Sequence, residues 1–223
     1  ACEWANVKKI LSIMTSCAYP DTGMDLLKEE TFWNGQPNKT IRAHGIAKRT
    51  LQTAAEAYND QYELNAATVC VTNLYGPHDT FDLVRTKVVG ALIRKFVEAH
   101  LDGNETVECW GTGAPMREFM YVDDAADAIV QALQKYNDPT IPLNIGTGKD
   151  ISIKQLVEYI VKALKYEGEV FWNTDKPDGQ MKKLLDTSRM KEFINIDPIE
   201  VEKGIRKTVQ WYATNKDLAD AKK

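Results

Sequence analysis

Two glycine turns, Gly111-Thr112-Gly113 and Gly146-Thr147-Gly148, are the first candidates for chemistry in this sequence. Glycines between a strand and a helix let backbone N–H groups approach a pyrophosphate, with the positive end of the helix behind them. The dinucleotide pattern G-x-G-x-x-G adds a third glycine for close helix–strand packing. Here the first turn continues Ala-Pro-Met and the second Lys-Asp-Ile, so neither has that glycine. On turn chemistry alone both read as strand-ending turns, and the sequence holds no dinucleotide fingerprint. Thiol and metal chemistry fare no better. Cys2, Cys17, Cys70 and Cys109 are far apart, with no C-x-x-C pair and no Cys/His cluster of metal-ligand spacing. Neither a disulfide framework nor a metal site is expected. The sequons Asn38-Lys39-Thr40 and Asn104-Glu105-Thr106 matter only in a secreted chain and read as chance matches.

Composition narrows the function classes. The 223 residues carry 28 Lys+Arg against 32 Asp+Glu, a formal net charge of -4, and the basic residues are scattered. That pattern offers no electrostatic footprint for nucleic acid or an anionic membrane. No apolar run approaches the roughly 18–20 residues of a membrane span, and the start, Ala-Cys-Glu-Trp-Ala-Asn, lacks the basic-then-apolar pattern of a signal peptide. A soluble, cytoplasmic protein is expected. A hydrophobic fraction of 43% with 27% charged residues is that of a globular chain.

The elements that must position any site alternate between strand and helix. Val7–Met14 reads as a buried strand, the spacing of Ile41, Ala47, Leu51, Ala54, Ala55 and Tyr58 predicts a helix over 41–62, and Leu64–Val71 is the next strand. Strand, helix, strand is a right-handed parallel unit. A helix over 87–100 and a strand at Thr106–Trp110 follow. Next come a short strand at Phe119–Val122 and a helix over 125–136 that Asp123 and Asp124 are placed to cap. Leu143–Ile145 is a further strand, Ile153–Lys165 a helix capped by Ser152, and Glu169–Trp172 a strand. Helices near 188–193 and 198–212 finish the pattern, and Asn215–Lys223 reads as a frayed tail. The fold class is α/β.

In order along the chain, Thr15-Ser16-Cys17-Ala18-Tyr19-Pro20, Asn73-Leu74-Tyr75-Gly76-Pro77-His78-Asp79, Trp110 through Phe119, Val122-Asp123-Asp124, Asn144 through Gly148, Lys176-Pro177-Asp178-Gly179 and Leu184-Leu185-Asp186 form a series. The series resembles the GDP-L-fucose synthases, extended short-chain dehydrogenase/reductases that epimerise and reduce GDP-4-keto-6-deoxymannose with NADPH. The resemblance covers nearly the whole chain and aligns Val7–Met14 with the family's fifth strand. It therefore implies a partial Rossmann-type parallel sheet, lacking the family's N-terminal strands and NADP fingerprint, with a smaller C-terminal α+β substrate domain. Residues 1–86 are expected to belong to the Rossmann-like part and 87–223 mostly to the substrate domain, with Leu143–Ile145 returning to the sheet. A sheet starting there exposes an apolar edge, which a homodimer partner or a second chain would cover unless a real deletion has brought compensating contacts.

The resemblance also implies site residues. Thr15 stands at the family's hydroxyl position and Lys48 at its lysine, while the tyrosine that delivers the proton is replaced by His44, one helical turn before Lys48. Imidazole transfers protons near neutral pH but is shorter than a phenol. Cys17 matches the epimerisation cysteine, and its histidine partner is replaced by Lys87. His78 is a loop residue, expected to serve loop structure. Residual cofactor positions are Thr15, Ser16, Lys48, Thr72, Asn73 and Leu74, and this chain alone is not expected to bind NADP. Substrate contacts fall on Asn73, Lys95, Trp110, Arg117 and Asp178. Lys95 and Arg117 can neutralise a diphosphate, Trp110 offers an aromatic face, and Asp178 can accept from sugar hydroxyls or guanine N–H groups. A GDP-sugar of the GDP-fucose or GDP-mannose type is the expected ligand. Three functions are compatible with these residues: a GDP-sugar-binding protein impaired in catalysis, an active enzyme completed by a separate cofactor-binding chain, and a dimerisation module built on the helix over 41–62.

Overall fold

A computed structural model describes residues 4–23 and 26–221, so Cys2 lies outside the described residues. In chain order the elements are β1 (Ile10–Thr15), β2 (Leu26–Leu27), α1 (Arg42–Tyr62), β3 (Ala66–Val71), β4 (Asn73–Tyr75), α2 (Val88–Asp102), β5 (Thr106–Trp110), β6 (Met116–Tyr121) and α3 (Val122–Lys135). They continue with β7 (Leu143–Ile145), β8 (Asp150–Ser152), α4 (Ile153–Leu164), β9 (Glu169–Asn173), β10 (Leu184–Leu185), α5 (Met190–Phe193), α6 (Val201–Thr214) and α7 (Lys216–Asp220). Two compact units result: Ala1–Asn73, Asp123–Lys149 and Lys183–Asp197 form the first, and Leu74–Val122, Asp150–Lys182 and Pro198–Lys223 the second. The division expected after residue 86 thus falls at Asn73, and two later segments join the first unit.

The first unit is built on a parallel sheet of order β1-β3-β7. Its central strand, Ala-Ala-Thr-Val-Cys-Val, is buried at every position, as a strand covered on both faces requires. Among the described residues β1 pairs only with β3, and Ile13 on it is 43% exposed. Helix α1 packs on β1 and β3. It is anchored by buried Gln52, which accepts from the Thr68 hydroxyl and donates to the Pro139 carbonyl at 2.6 Å. Burial pushes the Cys70 thiol far above its ordinary value, which makes it an inert core group.

Asn144 on β7 ties the unit together. Its carbonyl oxygen accepts from the Tyr19 hydroxyl at 2.7 Å, and its side-chain amide donates to the Leu27 and Asp186 carbonyls, each at 3.0 Å. Its backbone N–H donates to the Glu29 carboxylate at 3.1 Å. These bonds hold the parallel pair β2–β10 beside the sheet. Neither short strand is visible in the periodicity of the sequence.

The second unit contains a sheet of order β4-β6-β8, the parallel ribbon β5–β9, and helices α2, α4 and α6 around one apolar core that includes Phe81, Phe96, Phe119, Ile160, Val209 and Tyr212. The Ser152 hydroxyl accepts from the Gln155 N–H at 3.0 Å and caps α4. Two expectations are corrected. Asp123 and Asp124 lie inside the first turn of α3, which begins at Val122, where carboxylates favour the helix's positive end rather than cap it. The tail does not fray over 216–220: α7 is held by Asp220, which accepts from the Tyr212 hydroxyl at 3.0 Å, pairs with Lys216 at 2.7 Å and lies 3.4 Å from Arg94. No helix among the described residues is long and apolar enough to cross a membrane.

Removing the hub leaves the Tyr19 hydroxyl and two carbonyls without their partner. Asn144→Ala should destabilise the protein by about 2–4 kcal/mol in urea unfolding. Burial also raises the Glu29 carboxyl above its ordinary range, so the native chain holds this proton more tightly than the unfolded one. Its contribution is complete below the unfolded glutamate value and is lost as pH rises through the higher folded value. Urea midpoints from pH 4 to pH 7 should therefore fall in the wild type relative to Glu29→Gln.

Candidate functional site

The residues expected to carry acid–base chemistry gather in the first unit, save one. β1 ends at Thr15, whose hydroxyl accepts from the Cys17 N–H at 3.3 Å, and the short turn Ser16–Ala18 leaves Cys17 half-buried. Helix α1 approaches this turn closely: a Cβ on Gly45 would stand 2.7 Å from the Cys17 carbonyl oxygen and 2.8 Å from Pro37. That contact sets Lys48 beside β1, where its ammonium donates to the Ile13 carbonyl at 3.1 Å. His44, one turn earlier, is exposed. Buried Thr72 donates its N–H to the Ile145 carbonyl at 3.1 Å, and Asn73 begins β4. Lys87 is exposed, belongs to the second unit and precedes α2 as its N-cap residue. His78, at φ +67°, packs its ring 4.7 Å from that of Trp211, a structural position in the loop.

The second unit brings together four of the residues expected to hold a nucleotide-sugar, Lys95, Trp110, Arg117 and Asp178, while Asn73 belongs to the first unit. A cleft of about 190 Å³ is lined by Val88, Trp110, Gly113, Pro115, Arg117 and Ile153, together with Asp178. Trp110 is 62% exposed, and the ammonium groups of Lys95 and Lys176 each lie 5.4 Å from the centroid of its ring. Lys95 also donates to the Glu108 carbonyl at 3.2 Å, and Arg117 to the Met116 carbonyl at 2.7 Å. Asp178, expected as an acceptor for sugar or base, is bound within the protein. It accepts from the Thr112 N–H at 2.7 Å and the Thr112 hydroxyl at 2.8 Å, beside Gly111, whose φ is +77° and where a Cβ would collide with the Asp178 carboxylate. Asp178 thus braces the turn that shapes the cleft. Sequence reasoning missed Thr112 and Lys176, although both lie inside the quoted motifs, because their partners are far away in sequence.

The chain fits NADP only in part. Thr15, Lys48 and Asn73, the residues expected on the cofactor side, are polar side chains of the first unit. No strand–glycine turn–helix is present for the pyrophosphate among the described residues: the 111–113 turn leads to β6 and the 146–148 turn to β8. A Cβ at Gly148 would meet the Thr187 hydroxyl at 2.9 Å, so side-chain packing already occupies that turn. No group of three or more His, Cys, Asp or Glu among the described residues could hold a metal ion.

Residues 1–146 match the model of the NAD dependent epimerase/dehydratase family, and the chain belongs to that family. Its relatives include GDP-L-fucose synthases. That of Escherichia coli (strain K12) is 36% identical over 220 residues, covering 95% of this chain and 68% of the relative. Probable GDP-L-fucose synthase 1 of Oryza sativa subsp. japonica is 34% identical, over 96% of this chain and 65% of the relative. The crystal structure of a GDP-L-fucose synthetase from Naegleria fowleri bound to NADP matches with a TM-score of 0.91 at 28% identity, covering 97% of this chain and 69% of that one. The α/β fold with its Rossmann-like parallel sheet is therefore that of these enzymes, and the chain spans about two thirds of the length of the relatives it matches.

The contact between α1 and the Ser16–Ala18 turn leaves no volume for a methyl group. Gly45→Ala should force the helix away from Cys17 and cost about 1–3 kcal/mol of stability, read from the urea midpoint.

Proposed function

We propose that this protein is a GDP-L-fucose synthase-like binder of GDP-sugars that is impaired in NADPH-dependent epimerisation and reduction of GDP-4-keto-6-deoxymannose. The observation that carries the reading is the cleft of the second unit, where Trp110 and Arg117 line one hollow of about 190 Å³ and Lys95 stands over the exposed indole. An exposed aromatic face with an ammonium and a guanidinium suits a nucleotide diphosphate: Arg offers a forked, charge-assisted contact to phosphate oxygens, and Lys a mobile point charge. Impaired turnover is supported by the substitutions. His44 stands where the family has its proton-delivering tyrosine and Lys87 where it has the histidine of the epimerisation pair. Lys87 stands exposed at the N-cap of α2. The cofactor is inferred not to bind this chain alone, since the described residues provide no cradle for a pyrophosphate.

The edge of β1 favours a second reading. Its side away from β3, unpaired among the described residues, and the 43% exposed Ile13 suit further parallel strands. In that case a cofactor-binding segment or chain, or a second copy of this chain, would lie against β1, and His44 and Lys87 would take over the proton transfers.

Calorimetric titration with GDP-L-fucose or GDP-mannose should show binding, and titration with NADPH should not. Arg117→Ala should weaken the sugar nucleotide at least tenfold, about 1.4 kcal/mol, and an unchanged affinity would remove Arg117 from the site. NADPH binding by the wild type would move the second reading to the front.

A further inference from the structure

A hollow of about 500 Å³ in the first unit is lined by none of the residues assigned so far to sugar nucleotide, cofactor or proton transfer. One wall is α1, where Ile46, Arg49, Thr50 and Thr53 follow at the i, i+3, i+4 and i+7 positions of a single helix face. The other wall is the preceding loop, through Trp33, Gly35 and Gln36.

Arg49 is only 6% exposed and is the one charged residue of the lining. Its Nε donates to the Ala18 carbonyl at 2.7 Å, and its two terminal nitrogens donate to the Gly35 and Phe32 carbonyls at 2.7 and 2.9 Å. The Phe32 and Trp33 rings have their centroids 5.3 and 5.4 Å from the guanidinium carbon. Every one of these partners is neutral. Among the described residues no carboxylate stands within ion-pair distance of Arg49, and one N–H on each terminal nitrogen is left over. Burial pulls the Arg49 pKa below its ordinary value, yet a guanidinium keeps its charge in a protein. Buried charges are otherwise paired, so a cation in this position favours an anion beside it.

The remaining lining suits the body of such an anion. Trp33 is 50% exposed, and it is held by Phe32, which meets it edge-on at 5.0 Å and meets Tyr19 in the same way at 5.2 Å. Ile46 adds an exposed aliphatic surface, while Gln36, Thr50 and Thr53 bring an amide and two hydroxyls without charge. We infer that this hollow binds a small organic carboxylate with a planar apolar body, the carboxylate on Arg49 and the body against Trp33 and Ile46. The free N–H groups of a guanidinium give a carboxylate charge-assisted hydrogen bonds. An indole takes a second ring by offset or edge-on contact. The volume is that of an ordinary small-molecule site, and walls already fixed by the Arg49 bonds and the ring contacts reduce the cost of ordering on binding.

The test is calorimetric titration of the full chain with phenylacetate, with its neutral amide phenylacetamide and with inorganic phosphate. The wild type should bind phenylacetate at least tenfold more tightly than either of the others. Arg49→Ala would remove three bonds that hold the loop, so the deciding variants lie at exposed Thr53, one helical turn further on. Thr53→Glu supplies a carboxylate from the chain itself and should weaken phenylacetate at least tenfold. Thr53→Gln, equally long and uncharged, should stay within about threefold of the wild type and so report an intact hollow. Trp33→Ala should also lose at least tenfold. Equal affinity for phenylacetate and phenylacetamide overturns the role of the guanidinium, and phosphate bound as tightly as phenylacetate overturns that of the apolar walls. Undiminished binding in Thr53→Glu places the ligand outside this hollow. A wild type that binds no phenylacetate overturns the inference outright, and if it is then a dimer that Thr53→Glu splits in sedimentation, the occupant is a second copy of the chain.

Discussion

Asn144 has no exposed surface, and a buried amide costs roughly 1–3 kcal/mol unless its polar atoms are bonded. That requirement organises the first unit. To satisfy one side chain, Tyr19 must point inward from the end of β1, Leu27 must present a carbonyl from β2, and Asp186 must present another from just beyond β10. Tyr19 and Leu27 are thereby brought to one point with Asn144, more than a hundred residues further along the chain, and with Asp186 beyond it. The return of Lys183–Asp197 to the first unit follows from this demand. So does the burial of Glu29, whose carboxylate receives the Asn144 backbone N–H and whose neighbour Glu30 pairs with Arg189 at 2.6 Å.

The second unit solves a similar problem with a charge. The 111–113 turn runs through glycine conformations that no side chain would hold in place, and Asp178 supplies the missing restraint by accepting twice from Thr112. With the turn braced, the neighbouring Trp110 ring stands out from the ribbon instead of folding onto it. The Cys109 thiol on the opposite side of β5 is pushed up to about 11 by burial, which marks that side as core. A strand with one wet and one dry face puts every second side chain at the disposal of a ligand, and the three wet positions of β5 are Thr106, Glu108 and Trp110.

Much of this was legible in the residues. The apolar run of β3, the helical spacing of α1 and the Ser152 cap each reflect local rules, and each element lies within a few residues of its expected place. The pairs β2 and β10 escape such rules because two leucines have no period, and their pairing is parallel across more than 150 residues. The tail helix α7 escapes them because its stability lies in Arg94, Tyr212 and Glu98, charges and a hydroxyl on other helices. For the site, the motifs gave the right neighbourhood and an incomplete job description. Asp178 looks in sequence like a free acceptor, and only the distances to Thr112 show that its oxygens are engaged.

The two sets of site residues differ in what they ask of the fold. Lys95, Trp110, Arg117 and Asp178 all lie in the second unit, so local packing of one ribbon, one turn and one helix is enough to assemble them. The acid–base positions are divided: Thr15, Cys17, His44 and Lys48 are in the first unit and Lys87 is in the second. Proton transfer needs partners within about 3 Å of the same reacting atom, whereas a charged, aromatic pocket tolerates shifts of several tenths of an ångström with modest loss. The cleft keeps an exposed indole, an ammonium and a guanidinium within one unit, whereas His44 and Lys87, which replace the tyrosine and histidine of the resemblance, stand in different units.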